Sequence, residues 1–383
     1  MDKKKINFNK ATVLILDNSP SITGAFKSIT SVTKAMRDEF NFIFALQSAE
    51  LARSFNKQNH YSIHIPFLEI QKKWKSLLYF PRLIINSFRI LSIVKKQHVK
   101  IIHVNDLYNM CGVIIKIMRP STKIIYHVRL LPTSYAKKLY FIWKWLIEKY
   151  ADEIICVSQT VVSNFSYEKA TVVFDSIQIP KPKKTKEIKS KNNKFNILYL
   201  ANYIDGKGQK IALEAFFRAK PFIKNVQLVF YGGTLNNPKN QKYKDGLINY
   251  ANDLDLSQSI IFNDFAKNPE LKIENADLML NFSKSESFSM TTLEALIYGT
   301  PIIVTNCGGP SEIVEHNISG MLVPVNDIAA MADAIVSLAN DFDLRNSFIL
   351  KGKERVLSKF DFNIQVELLR SIYLGLLNNS LQD

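Results

Sequence analysis

The chain has 383 residues and a formal net charge of +16, with 22% of its residues charged and 47% hydrophobic. That length fits two domains, since domains mostly run about 100–200 residues, and 13 Gly with 13 Pro are too few for a collagen-like or low-complexity chain. The apolar runs exclude a membrane-spanning helix: Leu77 to Val94 is interrupted by Arg82 and Arg89, and Tyr140 to Ile147 by Lys144. The run Val13 to Leu16 is too short for a signal-peptide core. Cys111, Cys156 and Cys307 lie too far apart for a disulfide framework or a metal cluster. These features predict a soluble, cytoplasmic protein of a reducing compartment.

Taken in chain order, short β-rich apolar runs alternate with helical patterns. The first half predicts strands over residues 12–17, 41–46, 61–65, 100–104, 124–128, 153–157 and 171–174. Residues 179–194 are polar, lysine-rich and carry two prolines, the signature of a linker. Beyond them strands are predicted over 196–201, 226–231, 260–262, 278–281, 301–304 and 321–324, with helices such as 209–220 and 291–298 between them. A last helix is predicted over 361–377. Strands alternating with helices predict parallel sheets covered on both faces. The expected organisation is α/β: a Rossmann-like domain over 1–178, a linker over 179–194, a second Rossmann-like domain over 195–360, and a C-terminal helix over 361–383 packing back across the domains. The two domains are expected to face a central cleft.

The charge is unevenly spread. Residues 1–180 hold 26 Lys+Arg against 12 Asp+Glu, the segment 181–194 holds 7 against 1, and residues 195–383 hold 17 against 21. An anionic partner is therefore expected for the first half and linker alone.

Doubly wound domains bind ligands at the carboxyl ends of their strands, so loops after strands carry the informative residues. After the strand at 278–281 come Ser283 to Glu294. Glu286 lies in the loop and Glu294 two turns into the helix that follows. The amides of Ser287, Phe288, Ser289 and Met290 open that helix, where they and its dipole favour an anion. Glu294 has the chemistry to accept two bonds from a vicinal diol, and Glu286 to orient the hydroxyls of a sugar. A capped amphipathic helix, with Ser289 as cap and Glu294 in solvent, fits the same spacing.

The surrounding motifs extend this. Glu286 and Glu294 form E-x7-E. Ala295, Gly299 and Pro301–Ile303 follow, then Gly308-Gly309-x-x-Glu312, then Gly320-x-Leu322-Val323-Pro324. Together they closely resemble the signature of family-4 retaining glycosyltransferases of GT-B fold (glycosyl transferases group 1), over the whole second domain and more loosely over the first. The resemblance implies transfer of a sugar from a UDP- or GDP-linked donor, with retention at the anomeric carbon, to a lipid-linked or saccharide acceptor in bacterial surface polysaccharide or glycolipid synthesis. It implies that Glu294 holds the donor ribose, that Glu286 holds the donor sugar, and that the amides from Phe288 to Thr291 face sugar or diphosphate. In the family, the loop matching 202–208 carries an Arg and then a Lys that neutralise the diphosphate. Lys207 matches the lysine, followed by Gly208, whereas the arginine position falls on uncharged Asn202. The family's glycine-rich loop after the first strand is reduced here to Gly24. Base contacts are expected near residues 264–266.

No metal or other cofactor is expected. The pairs Asp253/Asp255 and Asp341/Asp343 lie at predicted helix ends and read as turn chemistry. In the first domain Arg129, at the end of the strand at 124–128, is the expected catalytic cation. His127 reads as a sheet histidine with a weaker claim to the acceptor side, as do His103 and Asp106, the last also a candidate cap for a helix over 107–118. Between Ile70 and Ile147 there are 15 Lys+Arg and one acid, Asp106, interleaved with aromatic residues including Trp74, Phe88, Phe141 and Trp145. The runs 72–75 and 140–145 have an interfacial look, and docking on the anionic inner face of a membrane is expected. Three further readings compete. A nucleotide-sugar epimerase of the same fold has no need of a basic acceptor-side domain. A nucleic-acid-binding protein lacks a supporting motif and is opposed by the acidic second half. A two-domain sugar receptor would be expected to carry an export signal.

Overall fold

The structure is a computed structural model that describes residues 10–20, 22–58, 60–68, 78–166, 168–178 and 194–378. It falls into two compact units, Met1–Asp175 with Phe362–Asp383, and Ser176–Asp361. The expected linker over 179–194 lies outside the described residues apart from Lys194.

The first unit carries strands β1 (Ala11–Asp17), β2 (Phe40–Leu46), β3 (Tyr61–His64), β4 (Val99–Val104), β5 (Lys123–Val128), β6 (Glu153–Cys156) and β7 (Ala170–Val172). They form one sheet in the order β3-β2-β1-β4-β5-β6-β7, every pair parallel. Continuous apolar runs suit such strands, since helices cover both faces; from Thr12 to Asp17 every residue of β1 is buried. The crossovers are α1 (Gly24–Ala35), α2 (Ala49–Lys57), α3 (Tyr79–Lys96), α4 (Cys111–Met118), α5 (Lys137–Tyr150) and α6 (Gln159–Val162). Helix α1 starts where the Thr23 hydroxyl accepts the Phe26 amide at 3.1 Å, an N-cap worth about 1 kcal/mol. Helix α4 starts at Cys111, not at residue 107. Asp106 accepts the Leu107 N–H at 2.6 Å in a turn, and Asn109 Oδ1 accepts the Cys111 N–H at 3.2 Å.

The second unit carries β8 (Phe195–Leu200), β9 (Val226–Tyr231), β10 (Ile260–Asn263), β11 (Leu278–Asn281), β12 (Ile302–Thr305) and β13 (Met321–Val323). Its parallel sheet runs β10-β9-β8-β11-β12-β13. Its helices are α7 (Gln209–Ala219), α8 (Pro238–Asp253), α9 (Pro269–Glu274), α10 (Met290–Tyr298), α11 (Gly309–Ile313), α12 (Ile328–Asn340) and α13 (Phe342–Lys359).

The last helix, α14 (Phe362–Asn378), belongs to the first unit. Val366, Leu369 and Tyr373 recur at helical spacing and enter the core formed by α1, α2 and one face of the sheet. The Tyr373 ring meets Phe40 edge-on at 5.5 Å. Among the described residues no helix is long and apolar enough to cross a membrane. Because α14 closes a core built some 300 residues earlier in the chain, Leu369→Ala, at a site with no exposed surface, is expected to destabilise the first unit by about 2–5 kcal/mol. Urea denaturation followed by circular dichroism measures it.

Candidate functional site

In the second unit the strand order reverses between β8 and β11, and the two loops leaving these strands diverge over the gap, the place where a doubly wound sheet takes its ligand. Lys207 leaves β8 and Glu286 leaves β11. Lys207 Nζ donates to Glu286 Oε1 at 2.8 Å. The Ser283 hydroxyl lies 2.7 Å from the same oxygen and 2.8 Å from Asn281 Oδ1. With a single proton it donates to one of these at a time. Glu286 Oε2 has no partner among the described residues.

The loops are held by backbone contacts. The Tyr199 hydroxyl donates to the Lys207 carbonyl at 2.5 Å and accepts the Phe282 N–H at 2.8 Å, joining the two loops through one buried group. Gly208 has φ +81°, and a Cβ there would lie 2.0 Å from the Phe282 carbonyl oxygen, so no other residue fits. The Lys284 N–H reaches the Gly206 carbonyl at 2.9 Å. Glu286 is clamped by its backbone, its N–H on the Cys307 carbonyl at 3.2 Å and its carbonyl accepting from Gly309 N at 2.8 Å. A Cβ on Gly309 would strike Phe288 Cα at 2.3 Å.

Ser289 caps α10 as the pattern predicts. Its Oγ accepts from the Thr292 amide at 3.4 Å and from Asn281 Nδ2 at 3.0 Å. The amides of Met290 and Thr291 stand ahead of the first helical bond, Leu293 N–H to the Ser289 carbonyl. Ser287 and Met290 are partly exposed, and the Phe288 ring packs 6.0 Å from Phe360. Glu294 is half-buried on α10, and its charge contributes, after burial, to raising the Tyr298 phenol one turn on. Asn202 does not stand in for a cation: its Oδ1 accepts the Gly233 N–H at 3.2 Å, and Gly233 in turn lies against the exposed ring of Phe265. Among the described residues no three His, Cys, Asp or Glu side chains gather as they would around a metal ion. Asp253 ends α8, and Asp341 caps α13 through the Leu344 amide.

The first unit has a matching order reversal, between β1 and β4. There Asn105 Nδ2 donates to Asp17 Oδ2 at 2.5 Å and Asn109 Nδ2 to Asn18 Oδ1 at 2.8 Å. Gly24 is an exposed first residue of α1 and makes no left-handed turn. Arg129 departs from expectation. It is 6% exposed, and its Nη1 donates to both Asp175 oxygens at 2.7 and 2.8 Å. Its Nε donates to Asn105 Oδ1 at 2.7 Å, and Nη2 lies 3.3 Å from His127 Nδ1. Asp175 also takes the Ser28 hydroxyl at 2.6 Å and Gln365 Nε2 at 3.3 Å. The guanidinium therefore ties β4, β5, α1 and α14 together from inside and is not presented to a ligand.

A guanidinium only donates, so His127 Nδ1 is an acceptor and its proton sits on Nε2. His103 Nε2 then donates to the same atom at 3.2 Å, and His103 Nδ1 accepts from the Tyr373 hydroxyl at 2.8 Å. His127 Nε2 is buried and has no partner among the described residues. Burial, reinforced by Arg129, holds His103 down to about 3 and His127 well below the usual 6.5. Asp106, which also accepts from Tyr135 Oη at 3.0 Å, is pushed up by desolvation to about 6.

The comparisons with known proteins agree with this architecture. The Anabaena protein HepE, crystallised with UDP, superimposes with a TM-score of 0.81 over 95% of this chain and 100% of its own, at 17% identity. The fold is that of GT-B glycosyltransferases. Residues 180–355 match the family described as glycosyl transferases group 1. Its relatives include the capsular polysaccharide biosynthesis glycosyltransferase CapM of Staphylococcus aureus, 27% identical over 67% of this chain and 71% of CapM. The N-acetyl-alpha-D-glucosaminyl L-malate synthase of Bacillus anthracis is 29% identical, but the match spans only 35% of this chain and 35% of that enzyme.

Two outcomes are expected from the first unit. Arg129→Met leaves the Asp175 carboxylate buried without its charge partner and should cost about 3–5 kcal/mol, read from the urea midpoint. The histidines make stability fall on acidification. The unfolded chain binds protons below about 6.5 that the folded chain refuses, a loss of about 1.4 kcal/mol per pH unit for each histidine. Asp106 has the opposite sign, since folded it keeps a proton up to about 6 that the unfolded carboxyl releases above 3.8; it offsets about one histidine below pH 6. Denaturation midpoints at pH 7.5, 6 and 5 should therefore decline, more steeply in Asp106→Asn and less steeply in His103→Gln.

Proposed function

We propose that the protein transfers a glycosyl residue from a nucleotide sugar, with retention at the anomeric carbon and without a metal, to a saccharide or lipid-linked acceptor of surface polysaccharide or glycolipid synthesis at the inner face of a membrane. The observation that carries this is the Lys207–Glu286 pair at the reversal point of the second sheet, beside the amino end of α10. As the bond from the sugar to the diphosphate breaks, negative charge collects on the leaving phosphates. Fixed donors stabilise that charge most when they are already in place. Lys207 has two further N–H groups beyond the one on Glu286, and the amides of Met290 and Thr291 add partial positive charge from the helix. Glu286, with Oε1 held by Lys207, keeps Oε2 for a sugar hydroxyl. Glu294 takes the ribose diol. Asn202 contributes through Gly233 and the loop around Phe265, as a neutral hydrogen-bonding group. Arg129 acts as a positioning residue that sets the proton of His127.

Uridine is the favoured base, because the superimposable HepE was crystallised with UDP; CapM supports a polysaccharide acceptor by its name. The test is nucleotide release from a panel of UDP-, GDP- and ADP-sugars. Lys207→Ala is expected to lower turnover by about 10²-fold or more, and Glu286→Gln to lower it with unchanged thermal stability. Full activity in both would overturn the assignment.

A further inference from the structure

One face of the first unit is built the wrong way round for water. Helix α3 buries Asn86 and Ser87, whose side chains donate to the Pro66 and Leu83 carbonyls at 3.0 and 2.8 Å. The same helix turns Phe80, Ile84, Ile85 and Phe88 outward, Phe88 being 56% exposed. In α5 the outward stripe at helical spacing is Lys138, Phe141, Ile142, Trp145 and Lys149, an apolar centre with a lysine at each end. Trp145 is 57% exposed, with Lys149 Nζ 5.1 Å from its ring. Between these helices lies α4, which contacts both and ends in exposed Ile117 and Met118.

The three helices share one side of the sheet. Each is the crossover into the next strand, β4, β5 and β6 in turn, and right-handed crossovers running in one direction stack on one side. The other side is covered by α1, α2 and α14. The charge on this layer has one sign. Helix α3 holds Arg82, Arg89, Lys95 and Lys96 and no acid. Helix α5 holds four lysines and a single acid, Glu148, which is spent on Lys144 at 2.7 Å. Leu91, Lys95 and Lys96 border a shallow groove beside Phe88.

We infer that the outer face of α3, α4 and α5 docks on an anionic lipid bilayer, with Phe88 and Trp145 entering the headgroup level and the lysines and arginines meeting lipid phosphates. Charge complementarity selects this occupant. A second copy would set cations against cations, whereas aromatic side chains and basic residues together are what an anionic interface favours. This gives the membrane part of the reading above a specific surface, and its evidence stands apart from the sugar chemistry.

The test is flotation of the full chain with vesicles of phosphatidylcholine alone and of phosphatidylcholine with phosphatidylglycerol, without nucleotide or sugar. Binding is expected only to the anionic vesicles and should weaken with added salt. Phe88→Glu with Trp145→Glu should lower it about tenfold or more, and Lys95→Glu with Lys96→Glu should lower the preference for phosphatidylglycerol. In the unmodified chain, brominated lipid should quench tryptophan emission, and Trp145→Phe should lower that quenching. Absence of flotation, equal binding to neutral vesicles, or undiminished binding by the glutamate variant overturns the inference. So does a dimer in light scattering that the glutamate variant abolishes, which would assign the face to a second copy. A variant inactive on nucleotide sugars that still floats leaves the inference intact. An active chain that does not float overturns the inference alone.

Discussion

The site depends on how closely two loops approach at the reversal point of the second sheet. Parallel pairing of β8 with β11 fixes where both strands end. From there Gly208 crosses the Phe282 carbonyl at a distance no side chain tolerates, and the Tyr199 hydroxyl bonds to both loops. A lysine is a long side chain with much rotamer freedom to lose. Anchoring its backbone and pairing its ammonium with Glu286 settles most of that before any ligand arrives. Glu286 is in turn clamped by its own N–H and carbonyl against Cys307 and Gly309. The chemistry of the two charged groups thus rests on backbone contacts and on two side-chain hydroxyls, those of Tyr199 and Ser283.

The first unit has the same winding and a different outcome. Its reversal point is closed by its own side chains, Asn105 on Asp17 and Asn109 on Asn18. Its buried cation, Arg129, is turned inward onto Asp175. A buried charge pair of this kind gives modest net stability, but loss of either partner is costly. Arg129 reaches β4 through Asn105, while Asp175 reaches α1 and α14 through Ser28 and Gln365. The pair therefore couples the last helix of the chain to strands laid down far earlier. Tyr373 adds a second link from the same helix, through His103 to His127.

Much of this was legible in the sequence because its causes are local. Thirteen apolar runs bounded by polar turns match the thirteen strands among the described residues, and Ser289 followed by Met290, Thr291 and Thr292 marks the cap of α10. The helix at 291–298 and the last helix were found to within a residue or two. What was not legible depends on distant partners. Arg129 follows an apolar strand and reads as an exposed end residue; nothing local shows that Asp175, 46 positions later, will lie beside it. Ser283 and Tyr199, which hold Glu286 and the loops, are single hydroxyls in no pattern. Asp106 next to an apolar run reads as a helix cap, yet Asn109 supplies a nearer acceptor for the first turn and α4 begins later. The basic run 72–75 lies outside the described residues.

The surplus of positive charge has a physical role once its position is known. Apolar side chains left in water each forgo burial worth about 25 cal/mol per Å², so a face like that of α3 and α5 would promote self-association in a neutral protein. Interleaved lysines and arginines oppose this, because two copies meeting through that face bring like charges together. In the docking proposed above, the same residues meet an anionic surface, where the charge is complementary and the apolar side chains have somewhere to go. An acidic second half around a lysine–carboxylate pair suits a ligand that brings its own concentrated negative charge, since the local cation and helix end decide binding there and the surrounding acids deter diffuse polyanions. The two halves of the chain thus use charge in opposite ways, one spread over a surface and one confined to a point.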